Sequence, residues 1–175
     1  MTDPHVVGAG MIDFGELKDQ SFDDLLEEAY LTLLENVDKG VDPSDIDAAW
    51  YGTIDIANEG ASGASVAHAT GLFETPITRV ENACATGSDA FRNAVQAVKA
   101  GDAEVALVIG AEKMTDSTEG LIASAALERL WRGRGVTMPA YFGMRATRHM
   151  EVYDTTREQI AEVSVKNHEN GTKYP

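Results

Sequence analysis

The sequence predicts an α/β fold, a mostly parallel central sheet flanked by helices, and three observations carry that prediction. Short apolar runs alternate along the chain with amphipathic stretches of helical period. Glycines stand just past the ends of those stretches, at Gly40, Gly71 and Gly101, where helices commonly stop. Val105-Ala106-Leu107-Val108-Ile109-Gly110-Ala111 is apolar without alternation, the pattern of a central strand covered on both faces of a parallel sheet.

Taken in order, Val6-Val7-Gly8-Ala9-Gly10-Met11-Ile12 reads as a buried strand entering a loop, and its glycines lack the spacing of a dinucleotide fingerprint. Ser21 caps a helix in which Phe22, Leu25, Leu26, Ala29, Leu33 and Val37 recur at helical spacing until Gly40. Asp23, Asp24, Glu27, Glu28 and Glu35 form its solvated face. Asp42-Pro43-Ser44-Asp45 is a turn before a strand from Ala48 to Ile54. A helix of small residues spans Ser62 to Thr70, and Ile77 to Val80 is the third strand candidate.

A helix from Cys84 to Ala100 places Phe91, Val95 and Val98 on one face and Ala90, Ala94 and Ala97 on a flatter one. Beyond Glu112 the rhythm breaks into a surface excursion containing Trp131-Arg132-Gly133-Arg134-Gly135. A helix follows from Pro139 to Tyr153, with proline in its first turn. Thr155-Thr156-Arg157-Glu158 is a capping box that opens a last helix to His168.

The 175 residues, 43% hydrophobic, suffice for one ordinary core or for one domain and part of another. Asp and Glu number 29 against 14 Lys and Arg, a formal net charge of -15. A chain so acidic repels nucleic acid and anionic membrane, so neither is expected as a partner. The excess is spread along the chain, which predicts an acidic folded surface, either that of a protein from a salt-rich cytosol or that of an ordinary acidic enzyme. The apolar runs are too short to span a bilayer, and the start shows no basic region followed by an apolar one. A cytoplasmic protein is the expectation. His5, His68, His149 and His168 lack metal-ligand spacing, so no metal is expected.

Cys84 is the chain's one cysteine and cannot form an internal disulfide. Between a strand and a helix start it would sit at the carboxyl end of a sheet, where open α/β folds place ligands and nucleophiles. The unpaired N–H groups and positive dipole of a helix start favour an anion there. Gly87 and the small side chains of Ala83, Ala85, Thr86 and Ser88 leave room for a substrate or another backbone. Two readings stand on position alone: an acyl-accepting nucleophile, or a small buried hydrophobe.

From Glu81 to Thr115 the sequence resembles the thiolase superfamily, in particular the archaeal acetyl-CoA acetyltransferase and sterol-carrier-protein-like branch. Asn82-Ala83-Cys84-Ala85-Thr86-Gly87-Ser88 is similar to the family's nucleophile block, and Val108-Ile109-Gly110-Ala111-Glu112-Lys113-Met114-Thr115 to the strand that follows it. Ala100-Gly101-Asp102 between them also carries the match, and Asp45-Ile46-Asp47 and Val165-Lys166-Asn167-His168 are weaker matches.

The resemblance implies an amino-terminal thiolase half within an incomplete five-layer αβαβα architecture. Residues 1–112 would be an α/β domain carrying the nucleophile and 113–175 part of the helical loop domain, with the carboxyl-terminal half absent. It implies a Claisen-type acyltransferase that takes coenzyme A thioesters as substrates, binds no other cofactor, and carries the acyl group on Cys84.

The chain has no second cysteine and no Gly-His-Pro, which in the family contribute proton transfer and oxyanion stabilisation. Each such contribution is typically worth a factor of ~100 or more, so this stretch alone is expected to be inactive. Tyr141, Phe142 and Met144 fall where the family lines its acyl-pantetheine tunnel, and an ordinary helix core explains them equally. Arg132 and Arg134 are candidates for the CoA phosphates, or plain exposed arginines.

Glu81 stands where many bacterial biosynthetic thiolases carry Asn; it either tunes the cysteine or satisfies backbone at a subunit interface, with Asn82 and Gly87 as support. The family implies a homodimer or homotetramer. Association with a zinc-ribbon/OB-fold protein and with hydroxymethylglutaryl-CoA synthase is a further expectation of that branch. Rival readings are a thiolase-fold aldolase or ketoacyl-synthase-like enzyme, and a non-catalytic acyl-CoA-binding or scaffold subunit.

Overall fold

The computed structural model describes residues 3–54, 62–116 and 136–173. The chain divides into two compact units, Met1–Gly120 and Leu121–Pro175.

In the first unit the chain runs through α1 (Phe22–Glu35), β1 (Ala48–Gly52), α2 (Gly63–Thr70), β2 (Ile77–Val80), α3 (Thr86–Ala100) and β3 (Ala106–Gly110). The described strands form one parallel sheet in the order β2-β1-β3, with Trp50 opposite Thr78 on one side and Val108 on the other. The step from β1 to β2 and the step from β2 back past β1 to β3 run in opposite directions. Right-handed crossovers therefore place α2 and α3 on opposite faces of the sheet.

Local chemistry sets the element ends. Ser21 Oγ accepts the Asp24 N–H at 3.1 Å while Asp24 Oδ2 accepts the Ser21 N–H at 2.6 Å, so α1 opens with a reciprocal capping box. The Ser21 bonds hold the Asp24 carboxyl below the usual carboxylate range. Gly71 and Gly101 close α2 and α3 at φ of 76° and 82°, a left-handed backbone that other residues adopt only under strain. Asp47 Oδ2 accepts the N–H groups of Glu104, at 2.7 Å, and Val105, at 3.0 Å, tying the entry of β1 to that of β3.

Alternation along the strands builds the core. Ala49 and Tyr51 of β1 and Leu107 and Ile109 of β3 pack with Phe22, Leu26 and Tyr30 of α1 and Val66 of α2. Burying an aliphatic side chain such as Leu26, which is fully enclosed, contributes roughly 1.5–3 kcal/mol.

Two sequence expectations are corrected. Residues 6–12 form no strand, and Val6, Val7 and Met11 are exposed. The segment lies against α1, where a Cβ on Gly10 would come within 2.3 Å of Leu33 N and one on Gly8 within 2.5 Å of Val37 Cγ2. Its glycines thus serve close approach to a helix. The strand Ala106–Gly110 is an edge of the described sheet rather than its centre.

On α3 the buried side is the small one: Ala90 and Ala94 are enclosed, while Phe91 is 48% exposed. Alanines allow the helix to approach the sheet closely. Phe91, Val95 and Val98 instead line an apolar cavity of about 670 Å³ shared with residues 3–10, α1 and β3. Tyr30 also lines it, and its buried hydroxyl has no hydrogen-bond partner among the described residues. Burial, with Asp42 nearby adding to it, pushes the Tyr30 phenol up.

The second unit presents α4 (Met138–Tyr153) and α5 (Arg157–Gly171). Thr137 caps α4, with Pro139 in the first turn. The capping box of α5 is shifted by one residue from the expected one, pairing Thr156 with Gln159. No helix of the described residues is long and apolar enough to cross a membrane.

Candidate active site

The carboxyl ends of β1 and β3 meet where the strand order reverses, the position at which open α/β sheets form a crevice. A cleft of about 310 Å³ lies there. It is lined by Gly52, Thr53 and Ile54 after β1, by Gly110, Ala111 and Glu112 after β3, and by Ala83, Thr86 and Gly87 at the start of α3. Glu112 Oε2 spans the two strand ends, accepting from the Ile54 N–H at 3.0 Å and from Thr53 Oγ1 at 3.2 Å. Next to it Lys113 is buried and paired with Asp116. That hydrogen bond holds the Asp116 carboxyl below its usual range.

Cys84 lies in a single 3-10 turn, Ala83–Ala85, that separates β2 from α3, and it is exposed. The helix proper starts at Thr86, two residues later than the sequence suggested. The residue before the sulfur has an unusual backbone: Ala83 has φ 45°, in the left-handed region that costs a non-glycine residue ~1–2 kcal/mol.

Both polar backbone groups of Ala83 are held by side chains. Glu81 Oε1 accepts its N–H at 2.7 Å, and its carbonyl accepts from Thr86 Oγ1 at 2.6 Å. The same Thr86 oxygen accepts the Asn82 N–H at 2.8 Å. Thr86 is itself buried, its methyl pressed toward β1, where a Cβ on Gly52 would stand 3.2 Å from Thr86 Cγ2. A Cβ on Gly87 would meet nothing within 4 Å, so this glycine faces open space beside the cleft.

Glu81, Asn82, Cys84 and Gly87 are therefore brought together at one turn. Asn82 Nδ2 also donates to Asp89 Oδ2 at 3.4 Å, and Asp89 lies 3.9 Å from Arg92 on α3. Tyr141, Phe142 and Met144 belong to α4 in the second unit. There the Arg145 guanidinium lies 4.4 Å from the Tyr141 ring centre and 5.8 Å from that of Phe142. Phe142 and Met144 are exposed and Tyr141 is half-buried. Arg132 and Arg134 lie outside the described residues.

Sequence reasoning noted Thr86 only as a small side chain and passed over Thr53 and the backbone of Ala83. A hydroxyl two residues past the cysteine was the one available signal for the Thr86 clamp.

A parallel α/β sheet with a solvent-facing thiol at the carboxyl end of its strands defines the class. Within it, the chain matches "Thiolase, N-terminal domain" over residues 5–175 and belongs to that family. It is 43% identical over 181 residues to the acetyl-CoA acetyltransferase of Methanothermobacter thermautotrophicus, an alignment covering 100% of this chain and 46% of that protein. It is 32% identical over 184 residues to human sterol carrier protein 2, covering 97% of this chain and 33% of the other.

Among solved structures, 3-oxoacyl-[acyl-carrier-protein] synthase III of Aquifex aeolicus superposes with a TM-score of 0.51 at 19% identity. That superposition covers 62% of this chain and 35% of that one, a likeness of fold. The chain spans about half the length of the archaeal relatives it matches.

Proposed function

We propose that this chain is the nucleophile-bearing amino-terminal part of an acetyl-CoA acetyltransferase-type thiolase, with Cys84 as the acyl carrier. The observation that supports it most directly is the exposed sulfur at the carboxyl end of the parallel sheet, in a turn gripped by Glu81 and Thr86. In this reading the Cys84 sulfur attacks the thioester carbonyl of an acyl-CoA, the carbon–sulfur bond to CoA breaks, and CoA leaves as its thiol. A carbanion generated on a second acetyl-CoA then takes the acyl group, forming a carbon–carbon bond and freeing Cys84. Thiolysis is the reverse.

The proton transfers and the oxyanion hole need groups beyond those on this stretch. We assign the α/β domain to residues 1–112 and a loop domain to 113–175, with Tyr141, Phe142 and Met144, and Arg132 and Arg134, as contacts for the acyl-pantetheine arm and the CoA phosphates. The complete enzyme is placed in the cytoplasm as a homodimer or homotetramer, with a zinc-ribbon/OB-fold protein and hydroxymethylglutaryl-CoA synthase as partners. Its acidic surface suits a salt-rich cytosol.

The test is single-turnover acylation. The full-length polypeptide incubated with acetyl-CoA should show an acetyl adduct on the Cys84 peptide by mass spectrometry, and C84S should neither form it nor cleave acetoacetyl-CoA. Turnover in C84S, or an unlabelled Cys84 in an active enzyme, would overturn the assignment. An unreactive thiol in an enzyme without turnover would favour a scaffold subunit.

A further inference from the structure

We propose that Glu81 and Thr86 are positioning residues for Cys84, which act by holding Ala83 in its left-handed conformation. The inference rests on the reading of Cys84 as acyl carrier and adds to it the device that presents the sulfur. Ala83 is one of two non-glycine residues with positive φ among those described, and it directly precedes the thiol. Alanine has no side-chain group with which to stabilise that conformation, so the turn depends on what its neighbours do to its two polar groups.

Glu81 takes the N–H at 2.7 Å and Thr86 gives its hydroxyl proton to the carbonyl at 2.6 Å. Thr86 cannot swing away, because it is buried against the end of β1 and also binds the Asn82 N–H. Glu81, by contrast, is exposed. Its carboxylate is the releasable half of the clamp. Without it the backbone from Asn82 to Cys84 can relax to negative φ, which rotates the peptide leading into Cys84 and so redirects the sulfur.

The mechanism makes a demand that a general stabilising role does not. If Glu81 acts only by offsetting the left-handed backbone of Ala83, a glycine at 83, which adopts that backbone freely, should make Glu81 dispensable. If it acts through its charge, Glu81→Gln should behave like Glu81→Ala; if through the accepting oxygen, the amide should serve nearly as well.

The experiment compares E81A, E81Q, A83G and the double variant E81A/A83G in the full-length polypeptide. It measures Cys84 alkylation by iodoacetamide and single-turnover acetylation by acetyl-CoA, with folding followed by circular dichroism. E81A should stay folded and lose about tenfold in both rates, equal to ~1.4 kcal/mol in the barrier. E81Q should stay close to wild type, and E81A/A83G should recover the wild-type rates. T86V should lose rate as E81A does, and T86S should restore it.

An E81A protein as fast as wild type, an E81Q protein as slow as E81A, or a double variant that stays slow would each overturn the proposal. If wild type forms no acetyl adduct, the acyl-carrier reading falls, and the alkylation series still decides the clamp.

Discussion

Glu112 and Ile54 stand 58 positions apart, yet the Glu112 carboxylate accepts the Ile54 N–H at 3.0 Å and joins the exits of β3 and β1. It binds Thr53, which is 2% exposed, with the same oxygen. Truncation in E112A would remove the acceptor of the Ile54 N–H and of one Thr53 hydroxyl bond. Such losses of charged hydrogen bonds typically cost ~2 kcal/mol. E112A should therefore lower the urea midpoint by an amount equal to about that, and E112Q, which keeps one accepting oxygen, by less.

Two glycines make opposite predictions. A methyl at Gly10 would stand 2.3 Å from Leu33 N and 2.7 Å from its Cα, both backbone, so nothing nearby can yield by rotamer change. G10A should cost ~1–3 kcal/mol in chemical denaturation. A methyl at Gly87 meets only open space, and within α3 the change to alanine should stabilise by roughly 0.5–1 kcal/mol. On the acyl-carrier reading G87A nevertheless occupies the rim of the cleft, so it should slow acylation of Cys84 while raising the midpoint.

The pH dependence of stability follows from Asp47. The Val105 and Glu104 N–H groups hold its carboxyl below the usual carboxylate range. A group whose value is lower in the folded state contributes stability that is present above its unfolded value. That contribution is lost as pH falls through the folded value. D47N should thus melt lower than wild type at neutral pH, and the gap between the two curves should narrow as the solution is acidified. A gap that is constant from neutral to strongly acidic pH would rule out this linkage.

The net charge of -15 gives a salt prediction. Two of the ion pairs, Lys18 with Glu16 and Arg148 with Glu151, are exposed contacts at 2.9 Å, of a kind worth little in water. Repulsion among the excess carboxylates outweighs them, and salt screens it. The melting temperature should rise from low to molar KCl; a flat or falling curve would count against adaptation to a salt-rich cytosol.

Where the fold was legible, its signals were local. Ser62 and Gly71 bracket α2 as expected, and Ile77–Val80 forms as read, because a left-handed glycine and a β-branched run each act over a few residues. The expected strand at 6–12 failed for a tertiary reason: glycines that look like loop punctuation serve contact with α1. On α3, helical period revealed two faces but could not say that the alanines, not Phe91, meet the sheet.

At the candidate site, the cysteine and its helix were visible in residue order. The left-handed Ala83 was not, since alanine carries no left-handed preference and its conformation is set by Glu81 and Thr86 from either side. The Glu81 carboxylate accepts a backbone N–H of its own turn, and that N–H belongs to the residue before the sulfur.

Gly110, Gly52 and Thr86 stand in file from the edge strand to the first residue of α3. A Cβ on Gly110 would press within 3.1 Å of the Gly52 carbonyl oxygen, and one on Gly52 within 3.2 Å of the Thr86 methyl. The spacing between strands and helix is thus gauged by backbone and one methyl group, with no flexible side chain to absorb error. A helix carried on long side chains drifts as their rotamers exchange; one seated this way inherits the stiffness of the sheet. Thermal wander of the thiol should therefore track the motion of β1, not that of the exposed turn in which it sits.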